Sequence, residues 1–145
     1  LHGLAMAKLN PVGRKAADLI LQNKRGKDKR LLDCTGQYQI VFFHLADCKN
    51  CQAEAEALRQ MELDLQAMNV SVTMVYAGDD AERWNEFRKN YPTRWIYLAD
   101  LKGTSRLHEL YDIEYVPKIY LLDSNGIVIA KDMKADQTVY MLHQL

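Results

Sequence analysis

The sequence predicts an α/β protein with a central mixed sheet flanked by helices, on three observations. Segments 38–45 and 70–77 are β-branched and aromatic at both odd and even positions, as expected of strands buried on both faces of a sheet. A helical pattern of apolar residues separates them, so these elements form a βαβ unit with parallel strands. After Pro117, two apolar segments joined by Ser-Asn-Gly, at 118–123 and 127–131, predict an antiparallel hairpin.

The remaining elements follow from local patterns. The charged run 23–30 contains Gly26 and is typical of a solvated hairpin turn, with a phosphate-binding patch as the alternative. The helix after the first buried strand is predicted over 51–68, because apolar residues recur there at spacings of three and four. Three more helices are predicted from capping residues and amphipathic spacing: 79–91, which ends before Pro92; 104–111; and 135–145, capped by Asp136.

The composition is that of one ordinary globular domain. The 145 residues carry 19 basic and 19 acidic side chains, so no global field favours nucleic acid or an anionic membrane. No stretch approaches the ~18 apolar residues of a membrane-spanning helix. Because the chain begins at Leu1, we expect a fragment or a processed product. Residues 1–10 are predicted to be a linker or the end of an upstream element, and residues 11–145 a single domain.

Two of the three cysteines form a CxxC motif where the strand at 38–45 meets the following helix. A helix N-terminus carries roughly half a positive charge and free N–H groups, which stabilise a thiolate and lower its pKa. Cys48 precedes the first turn and is predicted to be the exposed nucleophile. Cys51 lies one turn further on and faces inward as the resolving thiol. Lys49 favours the thiolate and Asp47 opposes it, with a net downward shift of the pKa expected.

Glu54 shares a helix face with Cys51. The apolar stripe that includes Leu58 and Leu65, continued backward, reaches Glu54 and then Cys51. Part burial would raise the pKa of the Glu54 carboxyl, so that it could accept the proton that Cys51 loses during exchange. The alternative is that Glu54 extends to water or caps the first turn of its own helix.

Two stretches carry a resemblance to a known family. VFFHLADCKNCQAEAEAL (41–58) is similar to the active-site segment of the TlpA/ResA-like thiol–disulfide oxidoreductases, and LYDIEYVPKIYLLDSNGIVIAK (110–131) to their cis-proline segment and terminal hairpin. The resemblance extends from about Pro11 to Lys131. It implies a thioredoxin-like fold over 11–145 with an N-terminal β-hairpin extension.

The resemblance also implies roles for single residues. Cys48 would attack and Cys51 would resolve, while Glu54 matches an acidic position that is functional in the family. Pro117 would be the cis-proline opposite the disulfide, and Val116 would offer backbone hydrogen bonds to a substrate chain. No metal or organic cofactor is needed for this chemistry.

The chain departs from the family pattern close to the motif. Asp47 stands where tryptophan is usual, and Lys118 where threonine often follows the cis-proline; proline, often found inside or just after the motif, is replaced by Lys49, Asn50 and Glu56. We therefore expect Asp47 and Lys49 to contact substrate, and Asp47 and Lys118 to give the disulfide an unusually charged rim.

The function predicted is thiol–disulfide exchange with protein substrates and an upstream redox partner, without nucleic acid. By resemblance, the protein is expected to be a periplasmic or otherwise extracytoplasmic reductase, with any membrane anchor lying outside this segment. Two alternatives stay open: a redox-inactive binding module, and a copper or zinc carrier using Cys48, Cys51 and His44.

His44 is interpreted as a packed strand residue, and Cys34 as a free thiol or the partner in a regulatory disulfide. Trp84 and Trp95 are predicted to pack in the core and at its surface edge, with a partner-binding groove as the alternative.

Overall fold

The computed structural model describes residues 9–33 and 36–145, so the predicted linker, apart from Leu9 and Asn10, and the predicted free thiol Cys34 lie outside the described residues. Within those ranges, seven strands form one sheet in the order β2–β1–β5–β4–β3–β6–β7. The strands are β1 (Ile20–Gln22), β2 (Asp28–Arg30), β3 (Tyr38–His44), β4 (Val70–Tyr76), β5 (Ile96–Ala99), β6 (Lys118–Asp123) and β7 (Val128–Lys131). The helices are α1 (Lys49–Gln60), α2 (Glu62–Ala67), α3 (Ala81–Arg88), α4 (Leu107–Leu110) and α5 (Ala135–Leu142).

The strand pairing is that of a mixed sheet. Strand β3 is parallel to β4, and β4 is parallel to β5. Strand β6 runs antiparallel to both β3 and β7. The predicted βαβ unit and the predicted antiparallel hairpin are therefore confirmed, together with the α/β class and its mixed sheet.

The central strand β3 is buried on both faces, as its composition predicts. Ile40 and Phe42 pack on one face with α1 and α5. Val41 and Phe43 pack on the opposite face, where the Phe43 ring lies 4.8 Å from that of Tyr111. Because side chains alternate across a strand, β3 connects two hydrophobic cores and fixes the position of whatever follows His44.

Both hairpin turns use a glycine in the left-handed region. In the first, Gly26 has φ 78° and its N–H donates to the Asn23 carbonyl at 2.9 Å. In the second, Gly126 has φ 79° and donates to Asp123 at 3.0 Å. A side chain other than glycine rarely adopts this φ, which is why the two glycines mark the turns in the sequence.

Strand β5 was not expected from the sequence. The region between the predicted helices at 79–91 and 104–111 has only four extended residues, too few for a clear period-two pattern. Its strand character comes from pairing with β4, in which Thr73 lies opposite Ile96 and Tyr76 opposite Ala99. Trp95, directly before β5, and Trp84 are both buried in the core, as predicted.

Two helix predictions need correction. The single helix predicted over 51–68 is divided at Met61, whose backbone (φ −101°, ψ 14°) lies outside the helical region. Met61 ends α1 and is the N-cap of α2. Leu58 and Leu65 are fully buried on either side of this break, so the apolar stripe survives the division. The N-cap of α5 is Lys134 rather than Asp136, which lies within the first turn.

Candidate active site

The two cysteines of the CxxC motif occupy the junction between β3 and α1. Cys48 is the N-cap of α1, and its Sγ accepts a hydrogen bond from the Cys51 N–H at 3.0 Å. The two residues form a disulfide with their Cα atoms 5.1 Å apart. Cys48 is partly exposed and Cys51 is fully buried, so only the first sulfur is open to an incoming partner.

The segment before β6 lies against the first cysteine. The peptide bond between Val116 and Pro117 is cis, and the Val116 carbonyl oxygen lies 3.7 Å from Cys48 Sγ. The sheet brings these positions together, because β6 pairs with β3 and places Lys118 opposite Phe43 at the same end of the sheet.

Glu54 is half-buried, as the helical stripe predicts, and it lies between α1 and α5. Its Oε1 accepts a hydrogen bond at 2.8 Å from the Ala135 N–H, in the first turn of α5. A carboxylate is favoured at this position by the positive end of the helix dipole. Glu54 thus caps a different helix from the one considered in the sequence, and it connects the active-site helix to the C-terminal helix.

Asp47 is held by a residue that the sequence did not single out. Its carboxylate forms an ion pair with Arg83 on α3, and Arg83 also contacts the carboxylate of Asp80, the N-cap of that helix, at 3.3 Å. Lys49, the first residue of α1, is exposed. The loop that carries Cys48 therefore contacts α3 through exposed charged side chains.

The expectation that Lys118 charges the rim is wrong. Only 16% of its side chain is exposed, and its ammonium group lies between Asp112, at 3.8 Å, and Asp132. The two carboxylates hold Lys118 away from solvent, whereas Asp47 is 76% exposed. The exposed charge beside the disulfide therefore comes from Asp47 and Lys49.

A groove of about 1060 Å³ opens between Ala46, Asp47 and Gln52 on one side and α3 on the other; neither cysteine lines it, but Asp47 directly precedes Cys48. Phe87 and Tyr91 provide its apolar part, and Asp47, Gln52 and Arg83 line its rim. Two exposed apolar residues border the site in the sequence: Tyr115, 78% exposed and adjacent to Val116, and Leu45, 40% exposed and directly after β3. The sequence analysis did not single out Tyr115, although its position immediately before Val116 and Pro117 could have indicated a residue of the site.

His44 is completely buried at the end of β3, where its ring stacks on Phe87 at 4.2 Å. Burial lowers the pKa of His44 to about 3, although a weak contact with the Leu45 backbone opposes the shift. Neither ring nitrogen has a hydrogen-bond partner of good geometry among the described residues. Within residues 9–33 and 36–145, no three histidine, cysteine or acidic side chains come together as a metal-ligand group.

A CxxC motif at the N-terminus of a helix, next to a cis-proline and a central mixed sheet, defines the class of thioredoxin-like thiol–disulfide oxidoreductases. The chain belongs to the AhpC/TSA family, whose profile matches residues 12–131. The resemblance to ResA-like proteins that the sequence indicated is confirmed.

Relatives support the same class at low identity. The chain is 24% identical over 117 residues to the thiol–disulfide oxidoreductase ResA of Geobacillus thermodenitrificans, covering 81% of this chain and 66% of ResA. It is 22% identical to the nucleoredoxin of Xenopus laevis, covering 93% of this chain and 36% of that protein. The chain thus spans less than two thirds of the length of these relatives.

Solved structures show a similar fold. A thioredoxin-like protein from Bacteroides caccae superposes with a TM-score of 0.89 at 25% identity, covering 99% of this chain and 53% of that one. A domain of a possible thiol–disulfide isomerase from Cytophaga hutchinsonii gives 0.85 at 28% identity, covering 94% of each chain. No helix in the described part of the chain is both long and apolar enough to cross a membrane.

Proposed function

We propose that this chain exchanges disulfides with protein substrates through the Cys48–Cys51 couple. The observation that carries the proposal is the asymmetry of the pair: one sulfur is accessible at a helix N-terminus, and the other is buried one turn below. A helix N-terminus favours a thiolate, which is the species that attacks a disulfide.

The exchange has two steps. In the reducing direction, the Cys48 thiolate attacks one sulfur of a substrate disulfide, forms a mixed disulfide and releases the other substrate sulfur as a thiolate. The Cys51 thiolate then attacks Cys48 Sγ, which forms the Cys48–Cys51 bond and frees the second substrate thiol. Two electrons pass to the substrate, and the oxidising direction is the reverse.

Cys51 must lose its proton before the second step, and Glu54 is the proposed acceptor. Glu54 lies one helical turn after Cys51 and is half-buried between α1 and α5. A carboxylate at this position can take a proton directly or through a water molecule.

The substrate chain is proposed to lie across Val116 and Pro117. The Val116 backbone is next to Cys48, so an extended substrate segment could hydrogen-bond to it while its cysteine reacts. Asp47 and Lys49 would contact polar parts of the substrate, while Tyr115 would pack on apolar ones.

The reaction is tested by reduction of insulin disulfides with dithiothreitol as the electron source. Wild type should accelerate precipitation, and Cys48→Ser should remove the acceleration. Cys34→Ser should keep the acceleration, because Cys34 is not part of the proposed couple; a loss there too would point to the regulatory disulfide considered for Cys34. Equal rates for wild type and Cys48→Ser would overturn the proposal and favour a redox-inactive binding module.

A second assay identifies which cysteine attacks. Cys51→Ser should accumulate a mixed disulfide with a substrate, visible on a non-reducing gel and lost on reduction, because no thiol remains to resolve it. Accumulation with Cys48→Ser instead would reverse the two roles.

The setting is proposed to be extracytoplasmic and the direction reductive, on the basis of the resemblance to ResA-like proteins. A signal peptide or lipobox in the precursor, together with labelling of Cys48 in intact cells by a membrane-impermeant thiol reagent, would support this location. Labelling only after lysis would contradict it. The reduction potential of the couple decides the direction.

A further inference from the structure

A second cleft, of about 910 Å³, lies at the sheet edge opposite β7. The β1–β2 hairpin bounds it on one side, and β5, the segment before it and the end of α3 bound it on the other. Neither cysteine of the CxxC motif lines this cleft, nor does Val116 or Pro117. Its volume is in the range of pockets that bind ligands.

One face of the hairpin is buried and the other is not. Leu19 and Leu21 are 1% and 0% exposed and pack into the core with Leu31. Ile20, on the opposite face, is 50% exposed and lines the cleft together with the half-buried Ile96, whereas Trp95 lies buried behind its wall. The cleft therefore has an apolar surface that the described residues leave uncovered.

The edge of β5 is open where it faces the cleft. Strand β1 pairs with β5 at one register position within the described residues, Gln22 opposite Ala99. Residues 96–98 line the cleft, and β1 ends before it reaches them. Backbone N–H and C=O groups on an open strand edge can pair with an extended peptide.

Basic side chains outnumber acidic ones around the cleft. The cleft is lined by five basic residues and two acidic ones: Lys24, Arg25, Lys29, Arg30 and Arg88, against Asp28 and Asp33. The Asp28 carboxylate is already engaged by Lys102, at 2.9 Å, and by Gln22, and Arg30 is itself paired with Asp18 at 3.4 Å, so the positive charge offered to a ligand rests mainly on Lys24, Arg25, Lys29 and Arg88. Arg88 has a buried Nε without a hydrogen-bond partner in the described part of the chain.

We propose that this cleft binds an acidic, extended segment of a partner polypeptide, which adds as a strand to the open edge of β5. Backbone pairing with β5 supplies the register, Ile20 and Ile96 contact apolar side chains of the segment, and the basic rim selects for glutamate or aspartate. The proposal is independent of the redox reaction at Cys48.

The probe is a short fluorescein-labelled peptide of alternating glutamate and valine, followed by fluorescence anisotropy. It should bind wild type, while the matching lysine–valine peptide should not. Arg25→Glu should weaken binding about tenfold, because reversing one charge removes an attraction and adds a repulsion, together on the order of 1.4 kcal/mol. Arg14→Glu, the same substitution near the opposite sheet edge, should leave binding unchanged.

Strand addition is tested separately with an N-methylated glutamate–valine peptide, which cannot donate backbone hydrogen bonds. It should bind at least about tenfold more weakly, and in NMR spectra the unmodified peptide should shift the amide resonances of residues 96–98.

Equal binding of the acidic and basic peptides, or equal effects of Arg25→Glu and Arg14→Glu, would overturn the acidic specificity. Equal binding of the methylated peptide would overturn strand addition. No binding at all would mean that the charges only protect the edge from aggregation.

Insulin reduction by Arg25→Glu should equal that of wild type, because Arg25 is remote in the fold from the CxxC motif. A negative peptide experiment with normal insulin reduction would therefore remove this inference and leave the proposed function standing.

Discussion

At the scale of single residues, His44 couples stability to pH. The ring is held neutral between Phe42, Tyr76 and Phe87. The pKa of His44 is about 3 in the folded protein, against 6.5 for an unperturbed histidine. Between these values the unfolded chain binds a proton that the folded chain does not, so this residue destabilises the fold as the pH falls below about 6.5.

We expect His44→Phe to flatten this dependence. One proton contributes a slope of at most ~1.4 kcal/mol per pH unit to the free energy of unfolding, and phenylalanine contributes none. Urea unfolding at pH values from 7 to 4 measures the slope, with the exposed His108→Phe as control. A slope as steep in His44→Phe as in wild type would contradict the assignment.

Glu54 caps α5 and, on our proposal, accepts the proton of Cys51. Two substitutions separate these two roles. Glu54→Ala removes the acceptor for the Ala135 N–H and should cost about 1 kcal/mol of stability, as loss of a helix cap does. Glu54→Gln keeps an acceptor oxygen and should retain most of that stability while changing the pH profile of disulfide exchange. An unchanged profile would remove the role in proton transfer.

The ion pair between Asp47 and Arg83 should contribute little to stability. The two side chains are 76% and 54% exposed, so solvent screens their interaction. A double-mutant cycle with Asp47→Ala and Arg83→Ala, followed by urea unfolding, should give a coupling below about 1 kcal/mol. A larger coupling would mean that this pair fixes the loop before Cys48.

At the scale of elements, α3 is the helix with the most explicit start signal. The Asp80 carboxylate accepts hydrogen bonds from the N–H groups of Glu82, at 3.1 Å, and Arg83, at 3.2 Å. Without it, two donors in the first turn would lose their acceptor.

We expect Asp80→Ala to lower stability by about 1 kcal/mol, with Asp79→Ala as the matched neighbour. Thermal unfolding followed by circular dichroism measures the difference. Equal effects of the two substitutions would show that general charge, rather than the cap, accounts for the loss. Because α3 lines the groove that Asp47 also lines, this cap also supports a surface next to the segment that carries Cys48.

At the scale of the whole molecule, the N-terminal segment is fastened to the end of α4. Asn10 donates to the Leu110 carbonyl at 2.7 Å and accepts from the Ala17 N–H at 2.8 Å. The Tyr111 hydroxyl donates to the Ala17 carbonyl at 2.5 Å, and burial raises the pKa of Tyr111 well above its usual range. The contacts of Asn10 with Leu110 and of Tyr111 with Ala17 join parts of the chain that are 100 and 94 positions apart.

Tyr111→Phe should destabilise the protein by roughly 1–3 kcal/mol, because it leaves the Ala17 carbonyl without its donor. Tyr140→Phe, at a side chain that is 60% exposed, should change stability by less than ~0.5 kcal/mol. Chemical denaturation of both variants tests the difference. Equal stabilities would mean that water replaces the lost hydroxyl.

The sequence by itself determined the parts of the protein that depend on neighbouring residues. The buried strand β3, the CxxC motif at the start of α1, and the turns at Gly26 and Gly126 all carry local signals of burial, capping and backbone conformation. Glu54 could be placed on the inner face of α1 because that placement needs only the helical spacing between Glu54 and its near neighbours Cys51 and Leu58.

The tertiary structure decided the features that require distant partners. Strand β5 is defined by its pairing with β4, Glu54 by the first turn of α5, and Asp47 by Arg83 on α3. Lys118 looked like a surface charge in the sequence, but Asp112 and Asp132 neutralise it in the fold. Hydrogen bonds and ion pairs between remote positions follow from the packing of the sheet and helices, and no local pattern encodes them.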